Sequence, residues 1–208
     1  MSIKTAPRPA FERTYSILLG LFFLSGLAAL SYQVTWQRLL FTAFGVDIES
    51  VTIVVSVFMF GLGAGALAGG AVADRFAGHL LRLFAMVEMA IGAFGLLSPA
   101  LIEILNDALA GSSRAVAAVG SFAVLAVPTI LMGATLPVLV THVNRTNANI
   151  GEAVGRLYFA NTAGAAAGAF LTGYWFLLVT DLHGVIRIAA TINIAVAICA
   201  LLAFRQKP

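Results

Sequence analysis

Six long stretches with few or no charged residues divide the chain, and short polar segments separate them. Each stretch has about 20 residues or more, the length that an α-helix needs to cross the hydrocarbon core of a membrane. The connecting segments are too short for a soluble domain. The pattern therefore predicts an all-α membrane protein, a single six-helix transmembrane domain over residues 1–208 with spans at 15–37, 50–73, 83–102, 115–141, 157–180 and 185–204.

Composition excludes the soluble and disordered classes. Of the 208 residues, 61% are hydrophobic and 10% are charged, whereas soluble domains contain roughly 45–50% apolar and about 25% charged residues. The basic residues are scattered singly and form no patch for nucleic acid, so we expect no nucleic-acid partner. The single cysteine, Cys199, excludes an intrachain disulfide. The three histidines lie in separate loops, so we expect no metal site, and no cofactor motif is present.

The distribution of Lys and Arg predicts the orientation, because these residues resist translocation. Three basic residues fall on one side of the predicted membrane, namely Arg38, Arg114 and Arg187. Nine fall on the other side: Lys4, Arg8, Arg13, Arg75, Arg82, Arg145, Arg156, Arg205 and Lys207. Both termini are therefore predicted in the cytoplasm, with the chain in a bacterial inner membrane. Trp36 and Trp175 then fall at the opposite interface, where amphipathic rings prefer to lie.

Small residues recur at helical spacing in the second and fifth spans. Such faces allow two helix backbones to approach closely, and we predict helix packing at Gly61, Gly65, Gly69, Gly164 and Gly168. A shift of 103 residues places Glu49, Gly61, Gly65 and Gly70 over Glu152, Gly164, Gly168 and Gly173. The echo indicates two related three-helix units, resembling one half of a major facilitator transporter; independent convergence of packing glycines is the alternative.

Glu88 is an acid near the middle of the third span, where insertion scales give a penalty of roughly 2.5–3.5 kcal/mol. Glu88, Gly92, Gly95 and Pro99 share one helix face, which we expect to meet another helix or a cavity. Two interpretations stay open: a proton or cation site, or a protonated carboxyl that donates one interhelical hydrogen bond. The candidate polar partners inside the membrane are Gln33, Tyr32, Asn161 and Asn193.

Four segments carry a family resemblance: LSGLAALSYQVTWQRLL at 24–40, FGLGAGALAGGAVADR at 60–75, PTILMGATLP at 128–137 and GRLYFANTAG at 155–164. Together they resemble the membrane domain of the spermidine-synthase-like proteins, in which a major-facilitator-like region is fused to an aminopropyltransferase-like domain. The resemblance implies that Asp74 and Arg75 clasp neighbouring helix ends in the turn after the second span. It also implies a match between Glu88 and an acid that the family commonly has in its third span.

Two departures from the family pattern bear on function. The chain ends at Pro208, after the sixth span, so we expect no aminopropyltransferase active site and no enzymatic activity. Gln33 stands where the family often has a glutamate, and an amide cannot titrate. Any proton-coupled role therefore falls to Glu88.

Two functions remain as hypotheses. In the first, favoured because the membrane contains few polar residues for a coupled transporter, the chain is a non-catalytic subunit or anchor. The glycine-lined faces of its second and fifth spans would then dock a membrane-protein partner within the bilayer. In the alternative, the chain is a compact half-facilitator that carries or binds a cationic amine such as a polyamine, self-associated as a homodimer.

Overall fold

The computed structural model describes residues 9–44, 47–145 and 150–203, and within these ranges every regular element is helical. Four basic residues used to predict orientation, Lys4, Arg8, Arg205 and Lys207, lie outside the described residues, as does the predicted end of the sixth span at residue 204. The main helices are α1 (Pro9–Phe44), α2 (Asp47–Arg75), α3 (Leu80–Ala108), α4 (Arg114–Asn144), α5 (Ile150–Leu171) and α6 (Leu182–Ala203).

Among the described residues, six helical segments are long and apolar enough to cross a membrane, which confirms the predicted all-helical fold class. Helices satisfy all of their own backbone hydrogen bonds, as an apolar surrounding requires. They extend beyond the predicted apolar runs, because polar residues at their ends also adopt helical geometry. The largest shift of a helix start is at α5, which begins at Ile150 and not at 157. Its first turns carry Glu152 and Arg156, an ion pair four residues apart that stabilises a helix start.

The fifth span also continues past α5. A π-helical turn over Thr172–Phe176 and a last helical turn over Leu177–Val179 extend it. Asp181 then begins α6, since its Oδ1 accepts a hydrogen bond from the Gly184 backbone N–H at 2.7 Å, as an N-cap residue does. At the start of α4, the Ser113 side chain accepts from the Val116 N–H in the same way.

The helices pack in pairs that follow an exchange rule. The most extensive pairs are α2 with α4, α1 with α5, and α3 with α6, followed by α3 with α4 and α1 with α6. Exchanging α1 with α4, α2 with α5 and α3 with α6 turns the α2–α4 pair into the α5–α1 pair and the α3–α4 pair into the α6–α1 pair. The α3–α6 pair maps onto itself. The two halves of the chain therefore contact each other in equivalent ways.

Equivalent glycines form a close backbone approach in each half of the chain. A Cβ atom on Gly65 would overlap the carbonyl oxygen of Ile130 in α4, and a Cβ atom on Gly168 would overlap the carbonyl oxygen of Leu27 in α1. Gly65 and Gly168 differ by 103 in residue number, and so do Leu27 and Ile130. The echo in the sequence is thus accompanied by the same backbone contact in both halves.

Two hydrophobic clusters form the core, one towards each end of the bundle. The first contains Phe22, Phe84 and Leu139, and the second contains Trp36, Ile91 and Leu125. On α1 the first cluster ends at residue 22 and the second begins at 28, and on α3 the corresponding residues are 85 and 91. On α6, which runs in the opposite order, the second cluster ends at 190 and the first begins at 196. A layer between the clusters is left for polar side chains.

Candidate functional site

The polar layer is centred on Glu88, which α3 presents on a face formed by Glu88, Gly92, Gly95 and Ser98. The spacings of four, three and three residues place these positions along one stripe of a helix, and all four are buried. Pro99, expected on this face, is only half-buried. The stripe faces α1 on one side and α6 on the other.

Glu88 is held by one hydrogen bond from each of these neighbouring helices. The Ser25 hydroxyl of α1 donates to Oε1 at 2.6 Å, and the Asn193 amide of α6 donates to Oε2 at 2.6 Å. The Glu88 side chain has no exposed surface, and Asn193 is 1% exposed. The acid therefore joins three helices at a point that is sealed from both lipid and solvent.

The two glycines on the α3 stripe make room for this arrangement. A Cβ atom on Gly92 would lie 2.9 Å from Ile194 and 3.1 Å from the Ala190 carbonyl oxygen, so a side chain here would push α6 away. A Cβ atom on Gly95 would overlap the Tyr32 hydroxyl. Glycine at these positions lets α6 and the Tyr32 ring lie directly against the α3 backbone.

A second buried polar contact lies further along the same stripe. The Trp36 indole N–H donates to Ser98 Oγ at 2.8 Å, and the Ser98 hydroxyl donates to the Gly95 carbonyl oxygen at 2.8 Å. The Trp36 ring stacks on Tyr32 with centroids 5.0 Å apart. The Trp36 ring is completely buried among the helices and does not face lipid, whereas Trp175 is 64% exposed. The depth of both rings in the membrane stays a prediction.

Two oxygen atoms at the site, Tyr32 Oη and Asn193 Oδ1, are buried and have no hydrogen-bond partner in the part of the chain that the structure describes. Among the described residues, no Lys, Arg or His nitrogen lies within ion-pair distance of Glu88. Phenol and amide oxygens accept hydrogen bonds, and a carboxylate oxygen can accept more than one. The site therefore offers acceptor oxygens to a donor that the described side chains do not supply.

The predicted site residues divide into two groups. Asn193 and Tyr32 lie at the α3 stripe as expected, whereas Gln33 and Asn161 do not contact Glu88 and lie half-buried on another face of α1 and α5. Residue type suggested them, but the rotation of each helix turns them away. Sequence reasoning missed Ser25, although it precedes Tyr32 by seven residues and so shares its face of α1.

The predicted packing glycines lie against helices of the same chain. Gly61 meets Thr129, Gly65 meets Ile130 and Gly69 meets Ala134 of α4; Gly164 meets Phe23 and Gly168 meets Leu27 of α1. We expected these faces to dock a partner. In the structure α4 and α1 occupy them, so they have no room for a further helix.

The turn after α2 is held differently from the expected clasp. Asp74 and Arg75 are both exposed, and neither has a hydrogen bond or ion pair to another residue of the described ranges. Arg145, at the end of α4, instead donates to the Ala77 carbonyl oxygen at 3.1 Å. Arg145 therefore ties the end of α4 to this turn.

Comparison with known proteins gives one distant similarity. No family model and no solved structure matches the chain. A polyamine aminopropyltransferase from Oceanobacillus iheyensis is 24% identical over 164 residues, which cover 78% of this chain and 30% of that protein. The chain thus aligns with less than a third of the length of a polyamine-related protein.

Proposed function

We propose that the chain is a polyamine-related integral membrane module in which Glu88 binds the ammonium group of a cationic amine. The observation that carries the proposal is the buried Glu88 carboxyl group, which lies between α1, α3 and α6 without a cation from the described residues. An isolated charge in an apolar interior is strongly unfavourable unless it is neutralised or paired. A proton or a bound cation meets that requirement.

The chemistry of the surrounding atoms favours an amine over a metal ion. A primary ammonium group has three N–H donors, and the site provides the Glu88 carboxylate together with the unpartnered oxygens of Tyr32 and Asn193. The described residues contain no group of three or more His, Cys, Asp or Glu side chains suited to a metal. The relative in Oceanobacillus is a polyamine aminopropyltransferase, and polyamines carry ammonium groups at their ends.

Entry of an amine requires the helices to separate, because Glu88 has no exposed surface. The described structure is thus the closed form in this proposal, with a proton on Glu88 that the amine displaces on binding. A carrier function follows if the site opens alternately to the two sides of a bacterial inner membrane. Membership of the spermidine-synthase-like membrane-domain family, cytoplasmic termini and two repeated three-helix units belong to the same proposal. The exchange rule of the helix pairs supports the repeat.

The role of a subunit or anchor has lost its expected docking surface. That hypothesis relied on the glycine faces of α2 and α5 as docking surfaces, and α4 and α1 of the same chain cover them. The amine-binding module relies on Glu88, whose burial and contacts fit a binding role. We therefore place the amine-binding module first.

Spermidine binding to the purified protein in proteoliposomes tests this function. We expect saturable binding and uptake of radiolabelled spermidine by the wild-type protein, and a loss of at least tenfold in Glu88→Gln. Glu103→Gln is the matched control, because Glu103 lies on the same helix but is exposed. An absence of spermidine and putrescine binding to the folded wild-type protein, or equal binding by both variants, would contradict the proposal.

A further inference from the structure

An apolar groove runs along the outside of the bundle between the first half of α1 and the first half of α5. Its volume is about 490 Å³, within the roughly 300–1,000 Å³ of ligand-sized sites. Cβ atoms on Gly20 and Gly155 would have no neighbour within 4 Å, and Phe159 is 73% exposed, so the groove is open on its outer side. Most of its lining has no polar side-chain atom and includes Leu19, Gly20 and Phe23 of α1 and Gly155, Phe159 and Ala163 of α5.

Two contacts between α1 and α5 limit the groove along its length. At one end the Tyr15 hydroxyl donates to the Ala153 carbonyl oxygen at 3.0 Å. At the other end a Cβ atom on Gly164 would overlap the Phe23 carbonyl oxygen, so the two backbones touch there. The lining residues of α5 run from 155 to 163, a length of about 12 Å. One leaflet is half of the hydrocarbon core of about 30 Å, so the groove has nearly the length of one leaflet.

Arg156 lines the charged end of the groove. It directly precedes the predicted fifth span, and its side chain is 59% exposed. Its Nη2 atom pairs with Glu152, four residues earlier on the same helix. A guanidinium group has five N–H donors in a fork that matches a phosphate group, so one bond to Glu152 orients Arg156 and leaves donors for an anion.

The surroundings of Arg156 are basic. At this end of the bundle, where α2 and α4 end and α3 and α5 begin, the described side chains include two acids, Asp74 and Glu152, and four arginines, Arg75, Arg82, Arg145 and Arg156. Basic residues at the ends of membrane helices attract the head groups of anionic lipids. The groove thus combines an apolar channel for a hydrocarbon chain with a positive charge at the level of a head group.

A helix of another chain is a poorer occupant. A spanning helix crosses both leaflets, whereas the groove ends at the contact between Gly164 and Phe23. We propose that the groove binds an anionic phospholipid, with one acyl chain between α1 and α5 and the phosphate group at Arg156. This site is separate from Glu88, which lies inside the bundle without exposed surface.

Native mass spectrometry of the purified protein tests the head-group contact. The probes are phosphatidylglycerol and phosphatidylcholine with the same acyl chains. We expect the protein to retain one phosphatidylglycerol per chain in preference to phosphatidylcholine. Arg156→Gln should lower phosphatidylglycerol binding about fivefold, which corresponds to the contribution of one basic residue at an anionic surface. Arg75→Gln is the matched control, because it removes the same charge at the same end of the bundle but outside the groove.

Gly20→Leu tests the position of the acyl chain. A side chain at Gly20 enters open space, so it fills the groove without moving a helix, and we expect the bound lipid to be lost. Gly63→Leu is the matched control, because Gly63 lies on α2 and is equally unobstructed; it should keep the lipid. Thermal unfolding of both variants verifies that they are folded.

Each outcome of these experiments decides the proposal. Loss of lipid from Gly20→Leu and Arg156→Gln, with retention by both controls, supports it. Equal retention by Gly20→Leu and Gly63→Leu, or equal binding of the two lipids by the wild-type protein, overturns it. A lipid-free dimer also overturns it, because a second copy would then cover the groove. Glu88→Gln should retain the lipid, so failure of spermidine binding leaves this inference untouched.

Discussion

The close approach of α2 and α4 at Gly65 can be tested with a single methyl group. A Cβ atom on Gly65 would lie 2.1 Å from the Ile130 carbonyl oxygen and 2.9 Å from the Gly133 Cα. Carbon and carbonyl oxygen atoms in contact are about 3.3–3.6 Å apart, so the helices would have to separate by roughly 1 Å. A gap of that size loses up to about half of the attraction between the atoms along the interface. We expect Gly65→Ala to lower the free energy of unfolding by about 1–3 kcal/mol, the usual effect of overpacking.

Gly63 is the matched control, because it lies on the same helix and a Cβ atom there would have no neighbour within 4 Å. Gly63→Ala should keep or raise stability, since alanine favours a helix over glycine by about 1 kcal/mol. Unfolding of the detergent-solubilised protein by SDS can be followed by the fluorescence of buried Trp36 in a Trp175→Phe background. Equal stability of Gly65→Ala and Gly63→Ala would refute the described contact between α2 and α4. Gly168→Ala and its control Gly155→Ala repeat the comparison on α5, where Gly155 is also unobstructed.

Two further predictions concern a buried hydroxyl and a helix cap. Ser98→Ala should destabilise the protein by about 1–3 kcal/mol, because it leaves the Trp36 N–H unpaired. Ser121→Ala is the control and should have little effect, since the Ser121 hydroxyl is buried without a partner among the described residues. Unfolding in SDS compares the stability of the two variants. The hydrogen bond from the Gly184 N–H lowers the pKa of Asp181. A lowered folded-state pKa gives stability above the unfolded value of about 3.9 that is lost as pH falls through the folded value. Asp181→Asn should therefore weaken the acid dependence of the melting temperature, and an unchanged acid limb would count against the cap.

The sequence predicts the helices well because each span is set by length and hydropathy, which are local properties. It predicts their ends less well, because these depend on caps and on ion pairs such as Glu152 with Arg156. The predicted end of the fifth span at residue 180 is close to the observed end at Val179. The π-helical geometry at Thr172–Phe176 has no local signal that distinguishes it from ordinary helix. Orientation depends partly on basic residues outside the described ranges and stays a prediction.

The centre of the site was predictable, but its partners were not. An acid in the middle of an apolar run must be buried or neutralised, so Glu88 follows from residue type alone. Its partners depend on helix rotation. Ser25, Tyr32 and Trp36 share a face of α1 at spacings of seven and four residues, matching the α3 stripe. Gln33 is one residue, or about 100°, away from that face, and its polarity therefore gave a misleading signal.

The polar site breaks the equivalence of the two halves of the chain. A shift of 103 residues places Thr191 over Glu88 and Pro128 over Ser25, and Thr191 is exposed. If the halves are repeated units, the acid therefore belongs to only one of them. The second half contributes Asn193, whose hydrogen bond to Glu88 joins α6 to α3. Any motion of one half against the other that separates α3 from α6 must break this bond.

Loss of the Asn193 amide should therefore make Glu88 easier to reach. We expect Asn193→Ala to raise the rate at which a hydrophobic carbodiimide, a reagent for protonated carboxyl groups, modifies Glu88 in proteoliposomes. Ile194→Ala is the control, because Ile194 packs against Gly92 on the same helix but forms no bond to the acid. Peptide mass spectrometry gives the modified fraction over time. Equal acceleration by both variants would show that packing alone closes the site, whereas a larger effect of Asn193→Ala assigns the closure to the bond between the two halves.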